Sequence, residues 1–406
     1  MKKMLISLIF IIVVMIILIF NNKKDELIMP NFYNKNIKEV EKFTTKYNLD
    51  LEINEVFDDS IIKDNVTWQN IKSDDTLKKD TKIVVSKSKG KNMEKQYKEN
   101  NVDESGLIPV MMYHGIVNLK DSDTAYTGGN VDKDGYTRTA ESFRKDLDYY
   151  YNEGYRMIRL EDYIDGKIDT EMGKSPIVLT FDDGLENNIK VTGLDSNGNI
   201  IIDPNSAVGI LEEYKKKYPD YNVTATFFIN GGLFRQNEYN EKILNWLIDN
   251  GYDIGNHTYT HVDFTTVDEN KATQEVGKMY QKLDSIIKDK YVNIVALPFG
   301  SPYDDDHSNF KYIIEGTYNG YKYNTKSTLR VGWEANYSPF SKSFNPQFIK
   351  RIRAYDNNGE NFDIKMNFNR LKETRYISDG DINTIVIPTE YKDSIKNDTN
   401  KQIIVY

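Results

Sequence analysis

Apolar and polar positions change texture four times along the 406-residue chain. Met4 to Phe20 is apolar throughout except for Ser7, with Lys2 and Lys3 before it and Asn21-Asn22-Lys23-Lys24 behind. As a helix that run spans about 25 Å, just sufficient for a bilayer core. No small-x-small cleavage site follows it, so residues 1–24 are expected to be a signal anchor and not a cleaved signal peptide. Lysines flank both ends and barely decide its orientation. Residues 28–90 then carry an apolar stripe, Ile37, Val40, Phe43 and Tyr47, on one helix. Leu51 and Ile53, Val66 and Trp68, and Ile83 and Val85 alternate as strands do. Residues 91–106, rich in Lys, Glu and Asn, cannot bury enough to fold and are expected to be a linker.

From Leu107 onward the texture is strand and helix in turn. Ile108 to His114 is a short apolar run with a polar end, followed by a helix over Ser142 to Asn152 with Phe143, Leu147 and Tyr150 on one face and Gly154 as its stop. The run Ile177 to Phe181 is bounded by Pro176 and Gly184. Further strands are expected at Thr224 to Asn230, Tyr252 to His257 and Ile294 to Phe299, and a long amphipathic helix at about Asn270 to Ile287. This alternation argues for a parallel α/β barrel filling residues 107–406. Between Leu185 and Tyr218, Asp195-Ser196-Asn197-Gly198-Asn199 has the turn chemistry of a surface hairpin. It walls a substrate groove or is an inert excursion; the sequence favours neither.

A net charge of −9 argues against a nucleic-acid binder held by phosphate contacts. The absence of cysteine removes disulfides, thiolate metal sites and a cysteine nucleophile from consideration. What remains is carboxylate and imidazole chemistry. Asp182 and Asp183 stand side by side at a strand end, where α/β folds collect their chemistry, and two such charges need a cation between or beside them. Gly255-Asn256-His257-Thr258-Tyr259-Thr260-His261 holds two of only four histidines. One Asp and two His make a ligand set for a catalytic divalent metal, leaving the other Asp free to act as a base on water.

Thr180-Phe181-Asp182-Asp183-Gly184, His257-Thr258-x-x-His261 and Leu297-Pro298-Phe299-Gly300, in that order, resemble the motifs of the polysaccharide deacetylases, the NodB-homology carbohydrate esterases. The resemblance covers about residues 106 to 390. It implies a distorted (β/α) barrel, Asp182 as the catalytic base, and a divalent metal on Asp183, His257 and His261. Zinc suits such a set, with cobalt, nickel, manganese and iron fitting comparably. It implies too that the Phe299 backbone N–H serves the oxyanion and that Trp333 lines an acetyl pocket. Two departures stand out. The arginine that usually precedes the Pro-aromatic-Gly motif and pairs with the base is replaced by Ala296, so Asp182 is expected to titrate higher unless Arg351 or Arg353 substitutes. The C-terminal strand Thr384 to Ile387 lacks the family's histidine. Met112-Tyr113-His114 has the form of that missing motif at the first strand of the domain, as in the circularly permuted poly-N-acetylglucosamine deacetylases. His114 is thereby expected to be the general acid, with Met112 lining the acetyl pocket.

Residues 28–90 resemble a PASTA module, a small α+β wall-binding unit, although the usual Pro and Gly after Gln69 are missing. The expected architecture is an N-terminal transmembrane helix, a PASTA-like domain, a linker and a barrel. The expected activity is metal-dependent N-deacetylation of peptidoglycan outside the cell. A poly-N-acetylglucosamine deacetylase, a non-catalytic wall sensor and a cytoplasmic amidase acting on a small molecule are the alternatives. The partners implied are an N-acetylated glycan and the membrane, with no nucleic acid.

Overall fold

The computed structural model describes residues 26–406. The anchor expected over residues 1–24 lies outside them, and among the described residues no helix is long and apolar enough to cross a membrane. The chain divides into two compact units between Gln96 and Tyr97.

The first unit is one helix and three strands: α1 (Ile37–Tyr47), β1 (Asp50–Val56), β2 (Val66–Gln69) and β3 (Lys82–Ser88). β3 is central, parallel to β1 and antiparallel to β2. Asn36 caps α1 by accepting from the Lys38 N–H at 3.1 Å, and Asn48 ends it in the left-handed region. Ile37 and Val40 pack with Met29, Phe32, Val66, Leu77, Ile83 and Val85 in a small core. Trp68 does not join Val66 there; it is 53% exposed. The cause is a register shift between the two, since one bulge residue turns the next side chain to the other face. Gln69 ties the entry segment to the sheet: its Oε1 accepts from the Phe32 N–H at 2.8 Å, and its Nε2 donates to Pro30 O and Ile71 O.

The stretch expected as a linker is not uniform. A short helix occupies Met93–Glu99, and Tyr97, Val102 and Glu104 are buried in the second unit. Glu104 accepts from the Tyr376 hydroxyl at 2.6 Å and the Val386 N–H at 2.7 Å. Its polar composition hid this role, because here the buried anchors are a carboxylate and a phenol as well as an aliphatic.

The second unit is built on a parallel sheet. Its strands are β4 (Val110–Tyr113), β5 (Tyr155–Met157), β6 (Ser175–Phe181), β7 (Thr226–Ile229), β8 (Asp253–Asn256), β9 (Ile294–Ala296), β10 (Ser327–Leu329), β11 (Phe348–Ile349) and β12 (Ile352–Arg353). The order is β11-β10-β9-β8-β7-β6-β4-β12, with β5 added against the start of β6. β11 and β12 end this path, yet only Lys350 and Arg351 separate them in the chain. The sheet therefore returns on itself through that pair. Helices α2 (Ala140–Asn152), α3 (Ala207–Lys217), α4 (Asn240–Asp249), α5 (Glu269–Ile287) and α6 (Ile364–Thr374) punctuate the strands. Thr139 and Asp268 cap α2 and α5 through their side chains.

Phe181 stacks between Tyr113 and Phe227, at ring separations of 5.4 and 5.0 Å, and Phe143 of α2 packs edge-on against it. All four are at most 1% exposed, so each contributes about 1.5–3 kcal/mol by burial. Val191–Leu194 and Ile200–Ile202 form the expected antiparallel hairpin. Thr384–Ile387 pairs with Gln402–Val405 in a separate two-stranded sheet, so the last apolar run lies off the main sheet.

Candidate active site

The motifs meet because they leave neighbouring strands at the same end. β4, β6, β7, β8 and β9 finish in His114, Asp182-Asp183, Asn230, His257 and the Leu297–Gly300 turn. The Asp182 N–H donates to Tyr113 O and the His257 N–H to Ile229 O, each at 3.0 Å, carrying the ladders to the edge of the site. Beyond it the backbone turns sharply. Asp183, Thr258, His261 and Phe299 all take left-handed conformations, with φ of 75°, 63°, 56° and 59°. Each costs of order 1–3 kcal/mol, which surrounding bonds must offset. Asn230 Nδ2 donates to Asp183 O, and Asn256 Oδ1 accepts from the Thr258 N–H at 2.8 Å. Buried Glu275 accepts from the Thr260 N–H and hydroxyl at 2.6 and 2.8 Å. Gly184 follows with φ 56°, where a side chain would meet Leu233 O.

A cavity of about 300 Å³ opens there, lined among others by His114, Asp182, Asp183, His257, His261 and Phe299. Three of the four histidines thus gather at one site. One oxygen of Asp183 and one nitrogen each of His257 and His261 lie within 4.8 Å of one another. Asp183 Oδ1 is 3.2 Å from His257 Nε2 and 3.3 Å from His261 Nε2. His257 Nδ1 is 2.9 Å from Ala296 O, so that nitrogen carries a proton and the ring turns Nε2 towards the cavity. That buried Nε2 has no hydrogen-bond partner. An orphaned imidazole nitrogen, a second imidazole and a carboxylate within reach fit a divalent cation. Burial works to raise the Asp183 carboxyl, but His257, His114 and His261 outweigh it and hold the group well below the carboxylate range.

Asp182 is 1% exposed and lies against Arg351, which is fully buried. Nη1 meets Oδ1 at 2.8 Å and Nη2 meets Oδ2 at 2.7 Å; Nη1 also donates to Thr180 Oγ1 and Nε to Arg330 O. Burial pushes Asp182 up, and Arg351 followed by His257 pulls it further down, so its carboxyl sits below the ordinary value. Of the two arginines considered as substitutes, Arg351, at the seam of the sheet, supplies the cation that Ala296 lacks, and Asp182 is accordingly not raised. Arg353 does not reach the pair; its guanidinium lies over the Tyr136 and Tyr355 rings at 5.4 and 4.0 Å.

His114 lines the cavity with a buried Nδ1 that has no partner, its ring edge-on to Tyr136 at 4.7 Å. Burial lowers its pKa, against the pull of Asp182 and Asp183. Met112 is 1% exposed and is not among the lining residues. It shares the His114 face two residues earlier, about 7 Å down the strand. Trp333 is absent from the lining too and is 61% exposed. The apolar wall expected from those two residues comes instead from Leu185, Leu297, Phe299 and Val331. Glu275 and Asn256 escaped the sequence reading, since a helix glutamate and a strand-end asparagine carry no signal until the loop they brace is seen.

Residues 169–312 match the polysaccharide deacetylase family model, and residues 27–89 match the PASTA domain model. A Geobacillus stearothermophilus protein described as an uncharacterized 30.6 kDa protein in the fumA 3' region is 28% identical over 127 residues. That is 31% of this chain and 39% of the relative's own length. Among solved structures, the Streptococcus pyogenes deacetylase PplD in complex with acetate aligns at 19% identity over 67% of this chain and 99% of its own, with a TM-score of 0.45. The Bacillus subtilis peptidoglycan deacetylase PdaC aligns at 23% identity over 34% of this chain and 55% of its own, with a TM-score of 0.24.

Proposed function

We propose that this chain, which carries a polysaccharide deacetylase domain and a PASTA domain, hydrolyses N-acetyl groups of peptidoglycan outside the cell, held to the membrane by residues 1–24. The observation that carries the reading is the pairing of two differently treated carboxylates in one cavity. Asp183 faces two imidazoles, while Asp182 is locked to Arg351. Neighbouring groups that are driven to separate tasks mark acid–base chemistry.

A divalent cation on Asp183, His257 and His261 would supply a Lewis acid for the acetamide carbonyl and for water. Asp182, kept ionised and oriented by Arg351, accepts the proton of the attacking water. The Phe299 backbone N–H is assigned to the developing oxyanion. His114 hands a proton to the departing amine; its lowered pKa makes the imidazolium a stronger donor when it forms. Amide and water are consumed, and acetate and a glycan amine are released. The PASTA-matching residues hold the catalytic unit on the wall, which is why peptidoglycan is preferred.

Full-length chain in mild detergent should release acetate from insoluble peptidoglycan and stop when a chelator is added. Glycan binding without acetate release would leave a wall sensor. Faster release from soluble β-1,6 N-acetylglucosamine oligomers than from peptidoglycan would favour the exopolysaccharide reading. Protease shaving of intact cells tests the side of the membrane: a protected catalytic unit refutes the extracellular assignment.

A further inference from the structure

Trp333 is 61% exposed, second only to Ile62 of the other unit among the large apolar side chains of the described residues. An exposed tryptophan alone means little. What surrounds this one is unusual. Phe362 lies beside it, ring centroids 5.9 Å apart and planes 32° from parallel. Phe362 has a positive φ of 60°, a left-handed conformation that costs a bulky side chain energy, and it follows Asn361 at 53°, where asparagine is at ease.

The loop is held by buried polar groups. Asp363, fully buried, accepts from the N–H groups of Asn357, Gly359 and Met366. Asn367, 3% exposed, sends its one amide group to Trp333 O, Phe362 O and Asp363 O at 2.9, 2.6 and 3.1 Å. One side chain thus fixes both aromatic residues from beneath. The Arg370 guanidinium also lies over the Phe362 ring, at 5.0 Å. Strain and buried hydrogen bonds thus hold an exposed Trp333 ring with a half-buried Phe362 beside it.

Trp333 lies close along the chain to a residue of the cavity wall. Val331 lines the cavity and Trp333 stands two residues on, across Gly332. Gly332 packs so closely on Arg351 that a Cβ there would lie 2.2 Å from Arg351 O. Trp333 thus directly follows the glycine packed on the residue that orients Asp182, and it bridges to Ile352, but lies outside the lining of the acetyl-sized interior. Pyranose rings present flat C–H faces, and an aromatic face with a tilted second ring suits such a surface.

We propose that Trp333 and Phe362 form a sugar-stacking platform for the glycan ring next to the one whose acetamide enters the cavity. The proposal rests on the deacetylase reading for what occupies the cavity. It makes Trp333 a specificity residue for chain length instead of a wall of the acetyl pocket.

Three tryptophans are present, so replacing Trp68 and Trp246 by Phe leaves Trp333 as the sole reporter. Titrating that protein, without added metal, with the β-1,4 N-acetylglucosamine tetramer or a muramidase-released peptidoglycan tetrasaccharide should shift or quench its emission. N-acetylglucosamine alone should do so at least tenfold more weakly. In the otherwise native chain, Trp333→Ala should raise KM for the tetrasaccharides by about 3–10-fold, the range expected of one aromatic contact. The monosaccharide should respond less, kcat should be spared, and Trp333→Tyr should restore most of the loss. Phe362→Ala should act in the same direction. Emission unmoved by either tetrasaccharide, or KM shifts equal for short and long substrates, overturns the platform even where acetate release continues. Saturable emission changes with no acetate release from any glycan would instead sustain the platform and overturn the enzymatic reading.

Discussion

Arg351→Met asks how much of the site depends on one buried cation. The guanidinium is 0% exposed, makes two short bonds to a carboxylate that is 1% exposed, and sends two further N–H groups to Thr180 Oγ1 and Arg330 O. Methionine fills much of the same volume but strands the Asp182 charge. Removing one partner of a buried ion pair costs about 3–5 kcal/mol. Replacing both, as Arg351→Met with Asp182→Asn, leaves no buried charge and an amide short of partners, a cost nearer 1–3 kcal/mol. The double variant should thus be more stable than the single one by about 2 kcal/mol. Chemical denaturation of the native protein, Arg351→Met, Asp182→Asn and the double variant, read at the transition of the second unit, gives the coupling directly. Arg351→Lys should fall between, because an ammonium supplies the charge without the two-pronged fit. Acetate release should fall with Arg351→Met by about 10²–10⁴-fold, the scale of a displaced general base. A single variant within about 1 kcal/mol of the native protein, or a double variant no more stable than the single, would show that Arg351 does not hold Asp182 ionised.

His257→Ala with His261→Ala should abolish both bound metal and acetate release while far-ultraviolet dichroism stays native; full metal occupancy in that protein by elemental analysis sinks the ligand assignment. His114→Ala should keep the metal and slow turnover by about 10²–10⁴-fold; near-native rates would remove it from the acid role. Burial, reinforced by Asp379, pushes Glu104 up to about 8 from an ordinary 4.5, so the folded chain retains a proton that the unfolded chain releases. Stability should accordingly fall as pH climbs from about 4.5 towards 8, by about 1.4 kcal/mol per unit at most, and Glu104→Gln should flatten that slope. Parallel stability–pH curves for the two proteins would refute this. A fragment of residues 26–92 should sediment with insoluble peptidoglycan; a folded fragment left in the supernatant reduces that unit to a spacer.

The strands and helices were legible wherever a side-chain period repeats: the helix expected over 270–287 is α5, and the strands expected between Ile108 and Phe299 each have a counterpart in the sheet, while the one expected at Thr384 to Ile387 forms but lies off it. Asp182, Asp183, His257 and His261 were legible as a group because scarce ionisable residues stood at strand ends. Trp68 and Met112 show where periodicity stops informing. A single bulge turned Trp68 outward, and the depth of Met112 along its strand, not its face, keeps it out of the cavity. Glu104 was illegible for a different reason: a carboxylate in a polar stretch looks solvated until the Tyr376 hydroxyl and Val386 N–H that receive it are brought from more than 270 residues away.

Arg351 and His114 share one explanation. Along the chain they are remote from Asp182, but across the sheet β12 pairs with β4 and β4 with β6, so the seam, the His114 strand and the Asp182 strand are consecutive. In a sheet that returns on itself, position around the ring is what brings side chains together, and any strand whose residue faces inward at the right depth can supply a given group. Arginine is suited to that freedom, because its long stem reaches across the interior and its planar fork still meets both carboxylate oxygens. Losing an arginine at position 296 therefore did not require losing the ion pair. The same reach sets the constraint, since the Gly332 backbone packs directly on that of Arg351 and leaves no room for the seam to shift. Gly332→Ala, far milder in appearance than any change to a charged residue, should consequently displace the guanidinium from Asp182 and slow acetate release, and a crystal structure of that variant with the 2.7–2.8 Å pair intact would contradict the argument.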